Sequence, residues 1–238
     1  MVMLDRDKLG AWIQPQHLEQ SALARYRQSF ESHPAHVVVL KNFLQPNVAD
    51  RLSQFLSKEA EFKVTYGLYS TEEAVSEENW RNAADEDRLF KLGRLVGASP
   101  QFQRSPNALT YLQFRMTFFR PELKAFFEEI TGMVLGNSDD FGAQAMAHDD
   151  VLRPHSDDNR NREIALVIYL APAWKPEFGG QLRVVHLDGE NTVVEAEYNS
   201  MVVFNVHTHS AHVVEPVRPN IGKGNRRLTI GGWYHRPL

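Results

Sequence analysis

The sequence contains no cysteine. Disulfides, iron–sulfur clusters and thiolate zinc sites are thereby excluded, and any metal must be held by nitrogen and oxygen. An excess of positive charge is missing too: 26 Lys and Arg stand against 30 Asp and Glu, a formal net charge of −4. That balance provides no basic field for a phosphate backbone, so nucleic acid is not an expected partner. No apolar run approaches the roughly 20 residues that cross a bilayer, so no membrane role is expected either. Asp5 and Asp7 stand near the start, where a signal peptide would carry bases and then an apolar run, and a cytoplasmic protein is the expectation. Internal repeats, low-complexity tracts and linker-like stretches are also lacking.

What remains is ordinary globular material. Apolar residues make up 42% and charged residues 24% of 238 residues, enough for a sizeable core in one large domain over 1–238. Residues 1–35 read as peripheral helices, with apolar residues at helical spacing from Ser21 to Phe30 before His33 and Pro34. Residues 36–40 are a β-branched run and read as a strand; 46–56 read as an amphipathic helix, and 61–69 as another strand. The polar stretch 70–104 is either a solvated loop with a short helix or a lid over a site. Residues 109–114 and 121–132 carry the strongest helical signals, with Pro121 suited to a first turn and Gly132 to a C-terminal cap. The region 36–133 thus reads as a strand and helix scaffold.

After Gly132 the texture changes to short strands and turns. Residues 163–170, 180–187, 192–196, 200–206, 212–217 and 226–235 are strand candidates, separated by turns such as 172–176, 188–191 and 219–224. Helices first and short strands afterwards suggest an α+β layout with a mainly β core over 134–238, a jelly roll buttressed by helices.

The chemistry gathers in that last third. Residues two apart on a strand share a face, so His155 and Asp157 can offer two adjacent ligands to one ion. One more imidazole completes a two-histidine, one-carboxylate face with open positions, which suits non-haem Fe(II). His207, His209 and His212 all lie within reach of that role. His207 and His209 share a parity that His212 does not, unless a turn intervenes. On strand 163–170 the face Ile164, Leu166, Ile168 and Leu170 is wholly apolar, leaving Tyr169 on the metal side. On the last strand Leu228 and Ile230 go one way, while Arg227, Thr229, Gly231 and Trp233 go the other. Arg226 is the rival arginine, but its parity matches Leu228. An inward arginine is costly without a carboxylate, and a dicarboxylate ligand held bidentately by Arg227 would resolve that cost. Arg153, Asp158, Arg160 and Arg162 crowd the strand entrance and read mainly as a solvated charged face.

With these residues in view, the chain resembles the Fe(II)- and 2-oxoglutarate-dependent oxygenases, in the prolyl 4-hydroxylase-like branch. The likeness rests on His155-Ser156-Asp157, His212 and Arg227. It extends to Ile168-Tyr169-Leu170 with Ala173-Trp174 and Gly179-Gly180-Gln181-Leu182, and to the closing Arg227-Leu228-Thr229-Ile230-Gly231-Gly232-Trp233-Tyr234. The resemblance implies a double-stranded β-helix in which His155, Asp157 and His212 hold Fe(II). Those three would then carry the oxidising iron that attacks the substrate. It also implies that Arg227 and Tyr169 bind 2-oxoglutarate, with O2 as second cosubstrate. Many relatives have a tyrosine where this chain has Met146, and Gln144 is the candidate to replace its contact. Trp233, Met146, Arg153 and Thr229 are candidate substrate-pocket residues. Because Asp157 is a carboxylate, hydroxylation is expected over halogenation.

The expected reaction is hydroxylation of an aliphatic C–H on a small, amino-acid-like substrate, with 2-oxoglutarate converted to succinate and CO2. A prolyl or other peptidyl hydroxylase is the alternative. From other classes, a zinc-dependent hydrolase or a non-enzymatic metal-binding jelly roll would use the same histidines. The hydrolase gives Arg227 no role.

Overall fold

The computed structural model describes residues 4–138, 140–158, 161–222 and 224–237. Arg160 and Lys223, read above as part of the strand entrance and of a turn, lie outside the described residues. The elements run in the order α1 (Arg6–Gly10), α2 (Gln20–Ser32), β1 (Val37–Leu40), α3 (Pro46–Gln54), β2 (Ala60–Leu68), α4 (Glu77–Asn82), β3 (Arg88–Ala98), α5 (Pro106–Phe118) and α6 (Pro121–Thr131). The strands β4 (Asp140–Met146), β5 (Val151–His155), β6 (Arg162–Tyr169), β7 (Leu182–His186), β8 (Asn191–Val194), β9 (Met201–Asn205), β10 (His209–Val214) and β11 (Arg227–His235) complete the chain.

All described strand pairs are antiparallel, in the spatial order β1-β9-β6-β11-β4-β3-β5-β10-β7-β8, with β2 added beside β3. The sheet curls at β3, which pairs with β4 through Gly93 and Arg94 and with β5 through Phe90 and Lys91. The result is a nearly closed jelly roll, as expected for a double-stranded β-helix. Among the described residues no helix is long and apolar enough to cross a membrane.

Strand parity organises the layers. Ile164, Leu166, Ile168 and Leu170 join Ile230, Leu228 and Tyr234 in a core shared with Phe30 of α2, Leu52 of α3, Phe114 of α5 and Phe126 of α6. Each such side chain gains about 1.5–3 kcal/mol on burial. A one-residue slip of β6 would expose the whole row, so its register is firmly specified. The opposite face of β6 places Ala165 and Tyr169 in a second core with Leu182, Val184, Val202 and Phe204, inside the roll. Helix α6 ends where expected, on Gly132 at φ 72°, with its N–H bonded to Glu128 O.

Three elements depart from the sequence reading. Residues 88–98, placed within the polar excursion 70–104, form the eleven-residue strand β3 at the curl of the sheet. Its basic residues Arg88, Lys91 and Arg94, three apart and out of step with a strand's alternation, disguise a strand whose Leu92 is buried. Strands β4 and β5 were also missed, because Gly142 and the mixed polar composition around them weaken the period-two signal. The β core therefore draws on β1, β2 and β3 as well as on 134–238, and the N-terminal helices are more than peripheral. Leu9, Leu23 and Phe30 are all buried in the main core.

Candidate metal centre

His155 closes β5 and His212 lies in the middle of β10, where the two are direct cross-strand partners. Opposed residues of an antiparallel pair project to the same face, and the two ring centroids sit 4.2 Å apart. Asp157 follows two residues after His155, before β6 begins. His155, Asp157 and His212 each offer a ligand atom within 4.8 Å of the others, and among the described residues they form the one such metal-competent group. His209 and His207, the rival candidates, are not in it.

The carboxylate is held on several sides. Asp157 Oδ2 lies 3.3 Å from His212 Nε2 and accepts from Trp233 Nε1 at 2.9 Å. Its Oδ1 accepts from Arg162 Nη1 at 3.2 Å and lies 3.9 Å from His155 Nε2. Arg162 also donates to Asp140 Oδ2 at 2.7 Å, and its guanidinium stacks 3.6 Å over the Trp233 ring. Burial alone would push the Asp157 carboxyl up. Hydrogen bonding and charge from His212, with His155 and Arg162, more than offset that and keep it well below the usual carboxylate range. It is an anion at neutral pH.

His155 is prepared in the complementary way. Its Nδ1 lies 2.8 Å from the carbonyl of Arg153, which can only accept, so Nδ1 carries the hydrogen and Nε2 is free. Burial, reinforced by His212, lowers its pKa to about 4. Two imidazoles and a carboxylate on one face, with no thiolate, suit Fe(II).

Further into the roll, Arg227 is 3% exposed. Its Nε donates to the Gly180 carbonyl at 2.7 Å, and its guanidinium lies 5.0 Å from the Tyr169 ring centroid. Among the described residues no carboxylate lies within ion-pairing distance of it. The Tyr169 hydroxyl is likewise buried without a hydrogen-bond partner. Gly180 makes room for this arrangement: it adopts φ +73°, and a Cβ there would come 2.9 Å from Arg227 Cδ. A buried cation and an orphaned buried hydroxyl side by side fit one carboxylate group that neither has in the protein. The fit to an acid cosubstrate therefore rests on these atoms.

A family model described as the 2OG-Fe(II) oxygenase superfamily matches residues 141–235, the stretch holding all three metal-competent residues and Arg227. Over those residues the chain is similar to the 2OG-Fe(II) oxygenase superfamily. Its curated relatives include prolyl 3-hydroxylase OGFOD1 of Xenopus laevis, 28% identical over 120 residues, and of Mus musculus, 29% identical over 122 residues. Those matches cover 48% and 49% of this chain but only 23% and 22% of the relatives. The chain thus matches less than a quarter of each curated relative's length. In fold the chain is similar to a prolyl-4-hydroxylase from Pseudomonas putida, with TM-score 0.57 and 20% identity over 90% of this chain and 99% of that one. It is also similar to a prolyl hydroxylase from Trichoplax adhaerens in complex with a hypoxia inducible factor peptide fragment, with TM-score 0.59, 17% identity and 93% of each chain covered. The family of that model uses Fe(II), 2-oxoglutarate and O2, and the donor set His155, Asp157 and His212 fits the iron.

The other predicted positions distribute unevenly. Thr229 is buried opposite both Tyr169 and Gln144, so Gln144 does share the inner face, half-buried. Met146 does not line an open pocket: it is fully buried against Leu92, Val214, Val217 and Ile221. Arg153 pairs with Asp85, through Nη2 to Oδ1 at 2.9 Å and through Nη1 to the backbone carbonyl. Trp233 shares the inner face as expected, but its indole is bound to Asp157. The residues the sequence reading missed are Arg162 and Asp140. Arg162 was grouped with the solvated charges at the strand entrance, and nothing in local sequence ties it to Asp140 on another strand. Parity would also have misled, since Arg162 shares the parity of Ile164 and not of Tyr169, and the register of β6 against β11 shifts at Arg162.

Proposed function

We propose that the chain is a peptidyl hydroxylase acting on prolyl residues, with His155, Asp157 and His212 as the Fe(II) ligands and Arg227 and Tyr169 as the anchor for 2-oxoglutarate. The observation that carries the substrate class is the similarity of about half of the chain to prolyl 3-hydroxylases. The small, amino-acid-like substrate expected from the sequence drew on a long lid over 70–104. That support is reduced, because 88–98 belongs to the sheet. What is left of the excursion is tied to the rim of the roll by Tyr69, whose hydroxyl donates to the Pro154 carbonyl at 2.7 Å, and by Asp85 through Arg153. A cytoplasmic setting suits a chain without cysteine.

When bound, Fe(II), 2-oxoglutarate and O2 supply the oxidising power for C–H hydroxylation, with release of succinate and CO2. The chain's own residues position and shield. Arg227 matches a distal carboxylate with its guanidinium, and Tyr169 adds a donor to the same group in a site closed to water. Trp233 and Arg162 fix the orientation of the Asp157 carboxylate. His155 presents Nε2 because the Arg153 carbonyl occupies its other edge.

The test is coupled turnover. Succinate release should rise with proline-containing peptides, which should gain the mass of one oxygen atom. Free proline and other free amino acids should leave it at the uncoupled level. Coupled hydroxylation of a free amino acid, with peptides inert, would sink the peptidyl reading and restore the small-substrate one.

A further inference from the structure

His209 is absent from the metal-competent group, yet it is 5% exposed and faces His212 directly. Residues three apart on a regular strand point to opposite faces. Here the register of β10 against β7 shifts between His209 and Ala211, so a bulge turns both histidines inward. Phe204 meets both rings edge-on, at centroid distances of 5.6 Å for His209 and 5.0 Å for His212. The pair is thus packed in one orientation.

The hydrogen-bond directions then follow in order. His209 Nδ1 lies 3.0 Å from the carbonyl oxygen of Asn205, which has no hydrogen to give. His209 must therefore donate from Nδ1, and in the neutral ring its Nε2 is a bare acceptor. His209 Nε2 lies 3.1 Å from His212 Nδ1. Only a hydrogen on His212 Nδ1 can fill that contact. His212 Nε2 is thereby turned to the side that faces Asp157 Oδ2 at 3.3 Å, the edge a metal would take in place of a proton.

We infer that His209 is a positioning residue for the metal centre, setting the tautomer and ring angle of His212 through a chain from His212 Nδ1 to His209 to the Asn205 carbonyl. The inference rests on the reading of His212 as a ligand. The two histidines then do different work: His155 takes its orientation from a backbone carbonyl, and His212 takes its own from a second imidazole. Partners of this kind typically change metal affinity by about 10–100-fold when removed.

The test uses the full chain and Co(II), a redox-inert probe. In metal-free protein labelled with 15N-histidine, long-range proton–nitrogen correlation should show a hydrogen on Nδ1 of both His209 and His212. Finding His212 Nδ1 without a hydrogen would overturn the inference without any variant. His209→Phe keeps a ring and removes the acceptor, and should weaken Co(II) binding about 10–100-fold. His209→Gln supplies an acceptor and should recover most of that loss. Unchanged binding in His209→Phe, or equal weakness in both variants, would show that the acceptor does not matter. Should the Phe variant fail to fold, the tautomers and the Gln variant still decide. His212→Ala separates the two levels, because wild-type Co(II) binding there would remove the ligand assignment itself.

Discussion

Replacing Arg227 with Met separates a ligand-binding arginine from a structural one. The guanidinium is buried, has one backbone hydrogen bond to Gly180 and, among the described residues, no carboxylate partner. Methionine fills a comparable volume. Losing the bond leaves the Gly180 carbonyl unpaired, at about 1–3 kcal/mol. Relief from burying an unmatched charge offsets a similar amount. The net change in the cosubstrate-free protein should therefore stay within about 1 kcal/mol, or roughly 2–4 °C in Tm for a chain of this size. Binding should behave very differently. Truncating one side of a buried charge pair costs roughly 2–5 kcal/mol. At about 1.4 kcal/mol per tenfold, 2-oxoglutarate should bind roughly 30- to 4,000-fold more weakly. The assay is anaerobic calorimetric titration with Mn(II) in place of iron, alongside thermal melts. A Tm loss above about 10 °C with 2-oxoglutarate affinity intact would refute the assignment and make Arg227 a structural residue.

Other outcomes follow from the same geometry. Trp233→Phe removes the indole bond to Asp157 Oδ2, and a bond to a charged acceptor contributes about 1.5–3 kcal/mol; metal affinity measured with Co(II) should fall about 10–100-fold while the fold persists by circular dichroism. Gly180→Ala would place a Cβ 2.9 Å from Arg227 Cδ at φ +73°, so 2-oxoglutarate affinity and Tm should both drop, and wild-type values for both would show that the Arg227 slot is loose. The pH dependence of the metal-free protein should also carry a signature. The folded state holds His155 at about 4 against an ordinary 6.5, so the unfolded chain binds that proton first as pH falls. Its stabilisation of about 3 kcal/mol is complete above about pH 6.5 and is lost on descending towards pH 4. Melts of chelated protein between pH 7 and pH 4 should show that decline, and His155→Gln should flatten it.

Period-two alternation accounts for how much was readable beforehand. It sorted Ile164, Leu166, Ile168 and Leu170 from Tyr169, and Leu228 and Ile230 from Arg227 and Trp233, and the structure divides them between two cores in the same way. Alternation fails where the ladder is irregular. The bulge between His209 and Ala211 brings two histidines of opposite parity to one side, and no pattern of residue types announces an inserted residue. Alternation also fails to show pairing between distant strands. Arg162 and Asp140 meet only because β6 and β4 both flank β11, so a charge read as solvated is held between two carboxylates. Strand β3 was obscured for a third reason: a strand at the fold's curl keeps much of its length solvated, and its charges mimic a loop.

In the proposed centre His155, Asp157 and His212 hold an iron to which 2-oxoglutarate binds under Arg227. Anaerobic addition of Fe(II) and 2-oxoglutarate to the purified chain measures that directly through a weak visible charge-transfer band. The band should require both additions and should vanish in Asp157→Ala and in Arg227→Met at matched cosubstrate concentration. A folded chain that gives no band, or a band that survives Asp157→Ala, would contradict it.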